Sequence, residues 1–171
     1  MGAAEALRDD DSVSFLFIGA GMKMEALKAR VAERRLPAVR FLPYQPRESL
    51  EDSLAAADVH LVSLIPSLEG FIVPSKFYGI LAAGRPIVFI GDLDGELARI
   101  TVAARCGLVV GAGQSADLVG AIRRLQCDEI ERNAMGMAAR QLLSERYSAR
   151  RGVDSWIALL ASASAAQGGA A

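Results

Sequence analysis

Short apolar runs alternate with helix-forming stretches along most of this chain. The pattern predicts strands at residues 13–18, 39–42, 58–64, 87–90 and 108–110. It predicts helices at residues 24–35, 46–57, 75–84, 96–104, 118–125, 128–146 and 153–162. Strands that alternate with helices at this spacing pair in parallel and are joined by right-handed crossovers. We therefore expect an α/β fold, a doubly wound parallel sheet with helices on both faces.

The length of 171 residues suits a single domain, which we place at residues 13–163. Residues 1–12 are acidic and aperiodic and predict a flexible lead-in, and the Ala/Ser/Gly-rich residues 164–171 predict a flexible tail. No apolar run approaches the roughly 18–20 residues of a membrane-spanning helix, and no basic segment precedes an apolar stretch at the start. The expected location is cytoplasmic.

Composition excludes several classes of function. The net charge of −1 lacks the basic excess of nucleic-acid-binding proteins, so no nucleic-acid partner is expected. Cys106 and Cys127 lie far apart without a metal-ligand spacing, which predicts reduced, packed thiols and no metal site. The single histidine, His60, lies within an apolar run and is interpreted as structural. No catalytic nucleophile or general base is identifiable.

A glycine turn follows the first predicted strand. In open α/β sheets, ligands bind beyond the carboxyl ends of the strands. Gly19 and Gly21 allow the backbone to approach a phosphate closely ahead of a helix N-terminus. The dinucleotide fingerprint would need glycine in place of Met24 and an acidic residue after the second strand, so an NAD site is disfavoured. A phosphate-binding turn and a plain connection without a ligand both remain open.

The segment 69–86 is the most informative part of the chain. Ser75 is a good helix cap, and the amides of Ser75, Lys76 and Phe77 can face an anion at the start of a helix. Lys76 adds a full positive charge there, and Glu69 can accept hydrogen bonds from sugar hydroxyls. One loop would thus offer donors to a pyrophosphate and an acceptor to a sugar. Alternatively, Glu69 and Lys76 are solvated surface residues.

This segment resembles the signature of family 4 retaining glycosyltransferases, enzymes built from two Rossmann-like domains in the GT-B architecture. The resemblance covers nearly the whole chain, through residues 15–21, 39–44, 56–59, 74–76 and 82–86. The Pro-Ser-Lys sequence at residues 74–76 is most similar to the branch that builds bacterial exopolysaccharide, colanic acid and O-antigen. The resemblance implies a Rossmann-like, donor-binding C-terminal domain, one half of a GT-B fold.

The resemblance also assigns a role to each part of the site. The donor sugar would contact Glu69, Gly70 and Phe71; the diphosphate would contact Gly19, Gly21, Ser75, Lys76 and Phe77; and the nucleobase would contact Leu42, Pro43 and Tyr44. The family's second glutamate would fall at Phe77 or Gly79, and neither is acidic. Glu96 would open a helix near the nucleotide. The alternative is that Glu96 and its acidic neighbours only complement that helix's N-terminus.

The implied function is transfer of a sugar from a nucleotide-diphosphate-sugar with retention of configuration, without a metal or other cofactor. The acceptor-binding N-terminal domain is missing from this chain, which alone would be inactive. For the acceptor, a lipid-linked saccharide at the inner membrane face is implied, with peripheral association there. Two alternatives remain open: a nucleotide-sugar epimerase of the same two-domain plan, and a non-enzymatic nucleotide-binding or interaction module.

Overall fold

The computed structural model describes residues 1–168, in which five parallel strands form two sheets. The strands are β1 Phe15–Ile18, β2 Val39–Leu42, β3 His60–Ser63, β4 Ile87–Gly91 and β5 Gly107–Gly111. Strands β1 and β2 pair with each other, and β4 lies between β3 and β5. The α/β class with parallel strands is confirmed. The strands are, however, divided between a two-stranded and a three-stranded sheet instead of joining in one.

The helices agree with the sequence pattern to within a few residues, apart from the two chain ends. They are α1 Gly2–Ala6, α2 Met24–Arg34, α3 Leu50–Ala55, α4 Lys76–Ala83, α5 Glu96–Ala103, α6 Ser115–Cys127, α7 Glu129–Leu142 and α8 Ala149–Gly168. Short 3-10 helices at Arg47–Ser49 and Pro66–Leu68 and a π-helical turn at Leu143–Tyr147 complete the backbone. Gly84 ends α4 in the left-handed conformation, at a φ of 65°.

Strand β4 shows why helices cover both faces of the three-stranded sheet. Ile87 and Phe89 are fully buried in one apolar cluster, together with residues of α4, α5 and α7. The residue between them, Val88, is buried in a second cluster with Leu125 of α6. Successive side chains of a strand point to opposite faces, so a strand apolar at every position needs cover on both. The prediction of helices on both faces is thereby confirmed for this sheet.

The first twelve residues differ from the flexible lead-in that the sequence predicts. Gly2–Ala6 is helical, and Ala3, Ala4 and Leu7 are buried. Their spacing puts all three on one helix face, which packs toward α6. Gln126 of α6 also donates a hydrogen bond to the Asp10 carboxylate at 3.2 Å. The lead-in is therefore part of the packed structure, and it links the β1–β2 sheet to the rest of the chain.

The end of the chain is also more regular than predicted. Helix α8 continues through the expected flexible tail as far as Gly168, and residues 169–171 lie outside the described part of the chain. Alanine, the commonest residue of this segment, has the highest intrinsic helix propensity. Within residues 1–168, no helix has both the length and the apolar character needed to cross a membrane.

The two cysteines and the histidine have structural surroundings. Cys106 is fully buried, and its burial raises the pKa of the thiol to about 11. Cys127 is exposed at the end of α6, so the prediction that both thiols are packed is wrong for this residue. His60 is half-buried, and its Nε2 lies 2.8 Å from the carbonyl oxygen of Leu54. Because a carbonyl only accepts, Nε2 carries the proton, and the ring ties β3 to α3.

His60 should make the stability of the chain depend on pH. Burial lowers the pKa of His60 below its ordinary value, and the positive charge of Arg85 lowers it further. As the pH falls below about 6.5, the unfolded chain gains a proton at this site that the folded chain resists, so stability falls. We expect the loss of urea resistance between about pH 7.5 and pH 5.5 to be smaller in His60→Gln than in the wild type. Parallel losses in the two proteins would contradict this.

Candidate functional site

The loop after β3 brings Glu69 to the start of α5. The 3-10 helix Pro66–Leu68 begins with proline, and Glu69 follows it directly. The Oε1 atom of Glu69 accepts a hydrogen bond from the backbone amide of Glu96 at 2.6 Å. Gly70, at a φ of 80°, then turns the chain in a conformation that favours glycine. Two residues that lie far apart in sequence, Glu69 and Glu96, thus meet.

The second oxygen of the Glu69 carboxylate has no partner. Oε2 is buried and accepts no hydrogen bond from any residue that the structure describes. An unpartnered buried acceptor costs about 1–3 kcal/mol, and more when the group is charged. The positive end of the α5 dipole offsets part of this cost, since a carboxylate at a helix N-terminus is stabilised. Oε2 is therefore an acceptor with unused capacity.

The start of α4 presents unused donors. Among the backbone hydrogen bonds of residues 1–168, none uses the amides of Ser75 or Lys76. The Lys76 side chain is exposed, and none of the ion pairs in this range includes it. The amide of Phe77 donates to the carbonyl of Pro74 at 2.9 Å, and its side chain is 1% exposed. Of the three predicted amides, two are free and the third is already engaged.

The predicted cap at Ser75 does not form through its side chain. Ser75 is the residue before α4, but its hydroxyl makes no capping hydrogen bond in the described chain. Its backbone is helical, whereas a capping serine usually has extended backbone. The helix start is thus left without an internal acceptor for its first amides. That leaves them available to an anion.

The glycine turn joins β1 to the end of β2. The amide of Gly19 donates to the carbonyl of Leu42 at 3.1 Å, and Gly19 has a φ of 118°. No heavy atom lies within 4 Å of the position that a Cβ would take at Gly19 or Gly21. Tyr44, which follows Leu42 and Pro43, is 83% exposed. The space beside both glycines is therefore open.

The candidate residues therefore form two groups. The glycine-turn group consists of Gly19, Gly21, Leu42, Pro43 and Tyr44, and the carboxylate-loop group consists of Glu69, Gly70, Phe71, Ser75, Lys76, Phe77 and Glu96. Within residues 1–168, no hydrogen bond or ion pair joins one group to the other. Phe71 is 83% exposed in the carboxylate loop. Both groups follow the carboxyl ends of parallel strands, but they belong to different sheets.

Two neighbours of the carboxylate-loop group were not singled out as site residues from the sequence. Tyr147, from the π-helical turn, packs edge-on against Tyr78 of α4 with ring centroids 5.3 Å apart. Its partial burial raises the pKa of Tyr147, and the nearby charge of Glu96 acts in the same direction. The other is Gly95, where a Cβ would stand 2.7 Å from Cδ and Oε1 of Glu69. For Gly95, the only sequence signal was its position directly before a predicted helix.

Two surface clefts lie away from these groups. One, of about 550 Å³, is lined by residues between Ser144 and Ser155, including Arg146, Arg150 and Arg151. The other, of about 240 Å³, lies between α5 and α7. Neither is lined by a residue of the glycine-turn or carboxylate-loop group. The candidate residues lie in loops and at the starts of α4 and α5, outside both clefts.

The parallel strands flanked by helices have the fold of one Rossmann-like half of a GT-B glycosyltransferase. HepE from Anabaena, solved in complex with UDP-glucose, matches 95% of this chain and 44% of its own, with a TM-score of 0.73 and 19% identity. The C-terminal domain of LpcC, a glycosyl transferase group 1 family protein from Francisella tularensis, matches 86% of this chain and 77% of its own. Its TM-score is 0.65 at 14% identity. These likenesses concern the fold.

The chain belongs to the family of glycosyl transferases group 1, which residues 1–128 match. It is 29% identical over 146 residues to the probable glycosyltransferase WbjE of Pseudomonas aeruginosa, covering 85% of this chain. It is 31% identical over 98 residues to the putative colanic acid biosynthesis glycosyl transferase WcaI of Escherichia coli K12, covering 57%. The matched regions span 36% of WbjE and 24% of WcaI.

Proposed function

We propose that this chain binds a nucleotide-diphosphate-sugar as the donor-binding C-terminal half of a retaining glycosyltransferase. The observation that carries the proposal is the carboxylate loop. Within residues 69–76 it combines the Glu69 carboxylate, two unengaged amides and the unpaired Lys76 ammonium at a helix start. A nucleotide-sugar needs both kinds of partner: donors for its charged diphosphate and acceptors for its sugar hydroxyls.

The diphosphate would bind at the start of α4. Phosphate groups bind at helix N-termini because amides and the helix dipole point at them, and Lys76 adds a full charge. In the transferase, negative charge develops on the departing diphosphate, so the same groups would favour the transition state. We propose that this positive charge serves in place of a metal ion, and that chelators leave turnover unchanged.

The sugar and the base would lie on either side of the diphosphate. Glu69, Gly70 and Phe71 would contact the sugar, with the Glu69 carboxylate as acceptor. Because Oε2 is buried, the exposed loop around it would have to move for a hydroxyl to reach that atom. Leu42, Pro43 and Tyr44 would contact the base, and Gly19 and Gly21 would approach the phosphates. A single donor molecule would then bridge the glycine-turn and carboxylate-loop groups. The exposed ring of Tyr44 suits stacking on a planar base.

The rest of the reaction would need further protein. The matched relatives are much longer than this chain, which supports an acceptor-binding N-terminal domain in the parent protein. We propose that the whole enzyme acts in the synthesis of cell-surface polysaccharide, on a lipid-linked saccharide at the cytoplasmic face of the membrane. The match to WcaI, a putative colanic acid biosynthesis glycosyl transferase, supports the role in polysaccharide synthesis. The isolated chain would bind its donor without transferring the sugar.

Calorimetry on the 171-residue chain tests donor binding directly. We would titrate UDP, UDP-glucose, GDP and GDP-mannose, starting with the UDP pair because HepE, which shares the fold, was solved with UDP-glucose. Heat with one nucleotide class supports the proposal and identifies the base. No heat with any of them would overturn it and favour an interaction module instead.

Removal of the Glu69 carboxylate should separate sugar binding from nucleotide binding. A hydrogen bond to a charged group contributes about 1.5–3 kcal/mol, so Glu69→Ala should weaken the nucleotide-sugar about 10- to 100-fold. The affinity for the nucleoside diphosphate should stay unchanged, since the carboxylate faces the sugar. Glu33→Ala, at an exposed position on α2, is the matched control. Equal losses for both ligands would contradict the assigned role.

A further inference from the structure

We propose that Gly95 is a positioning residue for Glu69 and thereby sets the selectivity of the site for a nucleotide-sugar over the bare nucleotide. Its second part rests on the proposed function. Gly95 is the residue before α5, and its backbone has a φ of −66°, which any residue can adopt. Glycine is therefore not needed here for its conformation. What the position needs is the absence of a side chain.

The space beside Gly95 is filled by the Glu69 carboxylate. A Cβ at this position would stand 2.7 Å from Oε1, 2.7 Å from Cδ and 3.0 Å from Oε2 of Glu69. Even one methyl group would force the carboxylate away from the α5 amide that it accepts from, the amide of Glu96. Gly95 and Glu69 thus fit together as a pair, from two loops that follow neighbouring strands.

The contact holds the carboxylate in one place. Glu69 lies in a loop whose other large side chains, including Ile65, Phe71 and Ile72, are exposed and give it little packing. The hydrogen bond from the Glu96 amide fixes Oε1, and Oε2 is buried beside it without a partner among the described residues. A carboxylate held in advance binds a hydroxyl with less loss of conformational entropy than a mobile one. Selectivity for the sugar would then depend on Gly95, which itself contacts no ligand.

A double-mutant cycle separates positioning from general damage to the fold. We would measure the ratio of nucleoside-diphosphate to nucleotide-sugar dissociation constants for the wild type, Gly95→Ala, Glu69→Ala and the double variant. Gly95→Ala should lower this ratio about tenfold in the wild-type background and should have no further effect once Glu69 is alanine. Gly120→Ala, in α6 where a Cβ meets no atom of the described residues within 4 Å beyond its own helix, should leave this ratio unchanged.

Hydrogen exchange of the Glu96 amide gives a reading that needs no ligand. The amide should exchange faster in Gly95→Ala and in Glu69→Ala than in the wild type, since both remove its acceptor. Unchanged exchange in Gly95→Ala overturns the positioning role whether or not a nucleotide binds. A loss of selectivity in Glu69→Ala without one in Gly95→Ala overturns the positioning role and leaves the proposed function intact. No selectivity in the wild type overturns the sugar contact assigned to Glu69 and, with it, the selectivity role of Gly95, whereas the proposed function is overturned only when no nucleotide binds.

Discussion

Lys76→Ala in the two-domain enzyme should lower kcat about 100- to 1,000-fold, the range found when one preorganised donor to a developing oxyanion is removed. Lys76 is the first residue of α4, exposed and without an ion-pair partner among the described residues. The amides of Ser75 and Lys76, which make no backbone hydrogen bond within the described chain, lie at the positive end of the α4 dipole. Negative charge grows on the diphosphate as the bond to the sugar breaks. Under the proposed function, the ammonium would therefore stabilise the transition state more than the bound donor.

The distribution of the loss between kcat and KM tests that reason. An interaction that strengthens in the transition state lowers kcat, whereas uniform binding raises only KM. Lys76→Arg keeps the charge and should recover part of the rate, although a planar guanidinium does not place it identically. Lys28→Ala, which removes an exposed ammonium paired with Glu25 on α2, should leave kcat as it is. A Lys76→Ala enzyme with normal kcat and raised KM would contradict a role on the leaving group.

Periodicity predicted most of the local structure because it reports directly on burial. The run at residues 87–90 is apolar at every position, and β4 is buried on both faces. The pattern also predicted a helix at residues 75–84, and α4 ends at Ala83 with Gly84 as its left-handed cap. The burial of Phe77 in the core fits the helical spacing. Its amide was expected to face an anion, but it donates to the carbonyl of Pro74. Amino-acid composition does not predict a turn hydrogen bond of this kind.

The sequence pattern did not predict the contacts between segments that lie far apart in the chain. The lead-in was read as flexible from its acidic residues, but Ala3, Ala4 and Leu7 are buried on one face of α1, which packs toward α6. Its three-residue apolar face is too short for periodicity to detect. The division of the strands between two sheets likewise depends on contacts between distant segments. A local pattern predicts that strands exist, and it does not say which strands pair.

The candidate site shows the same limit. Glu69 and Glu96 were each singled out from their neighbours in sequence, but their hydrogen bond requires the loops after β3 and β4 to meet. Gly95 was read only as part of an acidic segment, and its space-making role appears once the carboxylate of Glu69 is placed beside it. Tyr147 comes from a distant turn and was not singled out at all. The sequence identified the candidate binding residues Glu69 and Glu96, but it did not identify the residues that position them.

Gly107→Ala should unfold the chain or reduce its stability by more than about 4 kcal/mol, a loss far above that of an ordinary substitution. Gly107 pairs with Ile87, where β5 begins beside β4. A Cβ there would overlap the carbonyl oxygen of Ile87 and stand 2.8 Å from its carbon. These are backbone atoms of a buried strand, so relief requires the two strands to separate. The same strand, β4, leads directly into the segment that carries Gly95 and Glu96.

Gly120→Ala is the matched change for the same measurement. Gly120 lies within α6, with no atom within 4 Å of the added Cβ, and the substitution should raise stability by about 0.4–1 kcal/mol. Urea unfolding followed by circular dichroism would compare both variants with the wild type. The same added methyl group should lower the free energy of unfolding in Gly107→Ala and raise it in Gly120→Ala, because Gly107 faces a strand and Gly120 faces solvent. A Gly107→Ala protein with the wild-type midpoint would show that β4 and β5 are not packed as closely as this pairing requires.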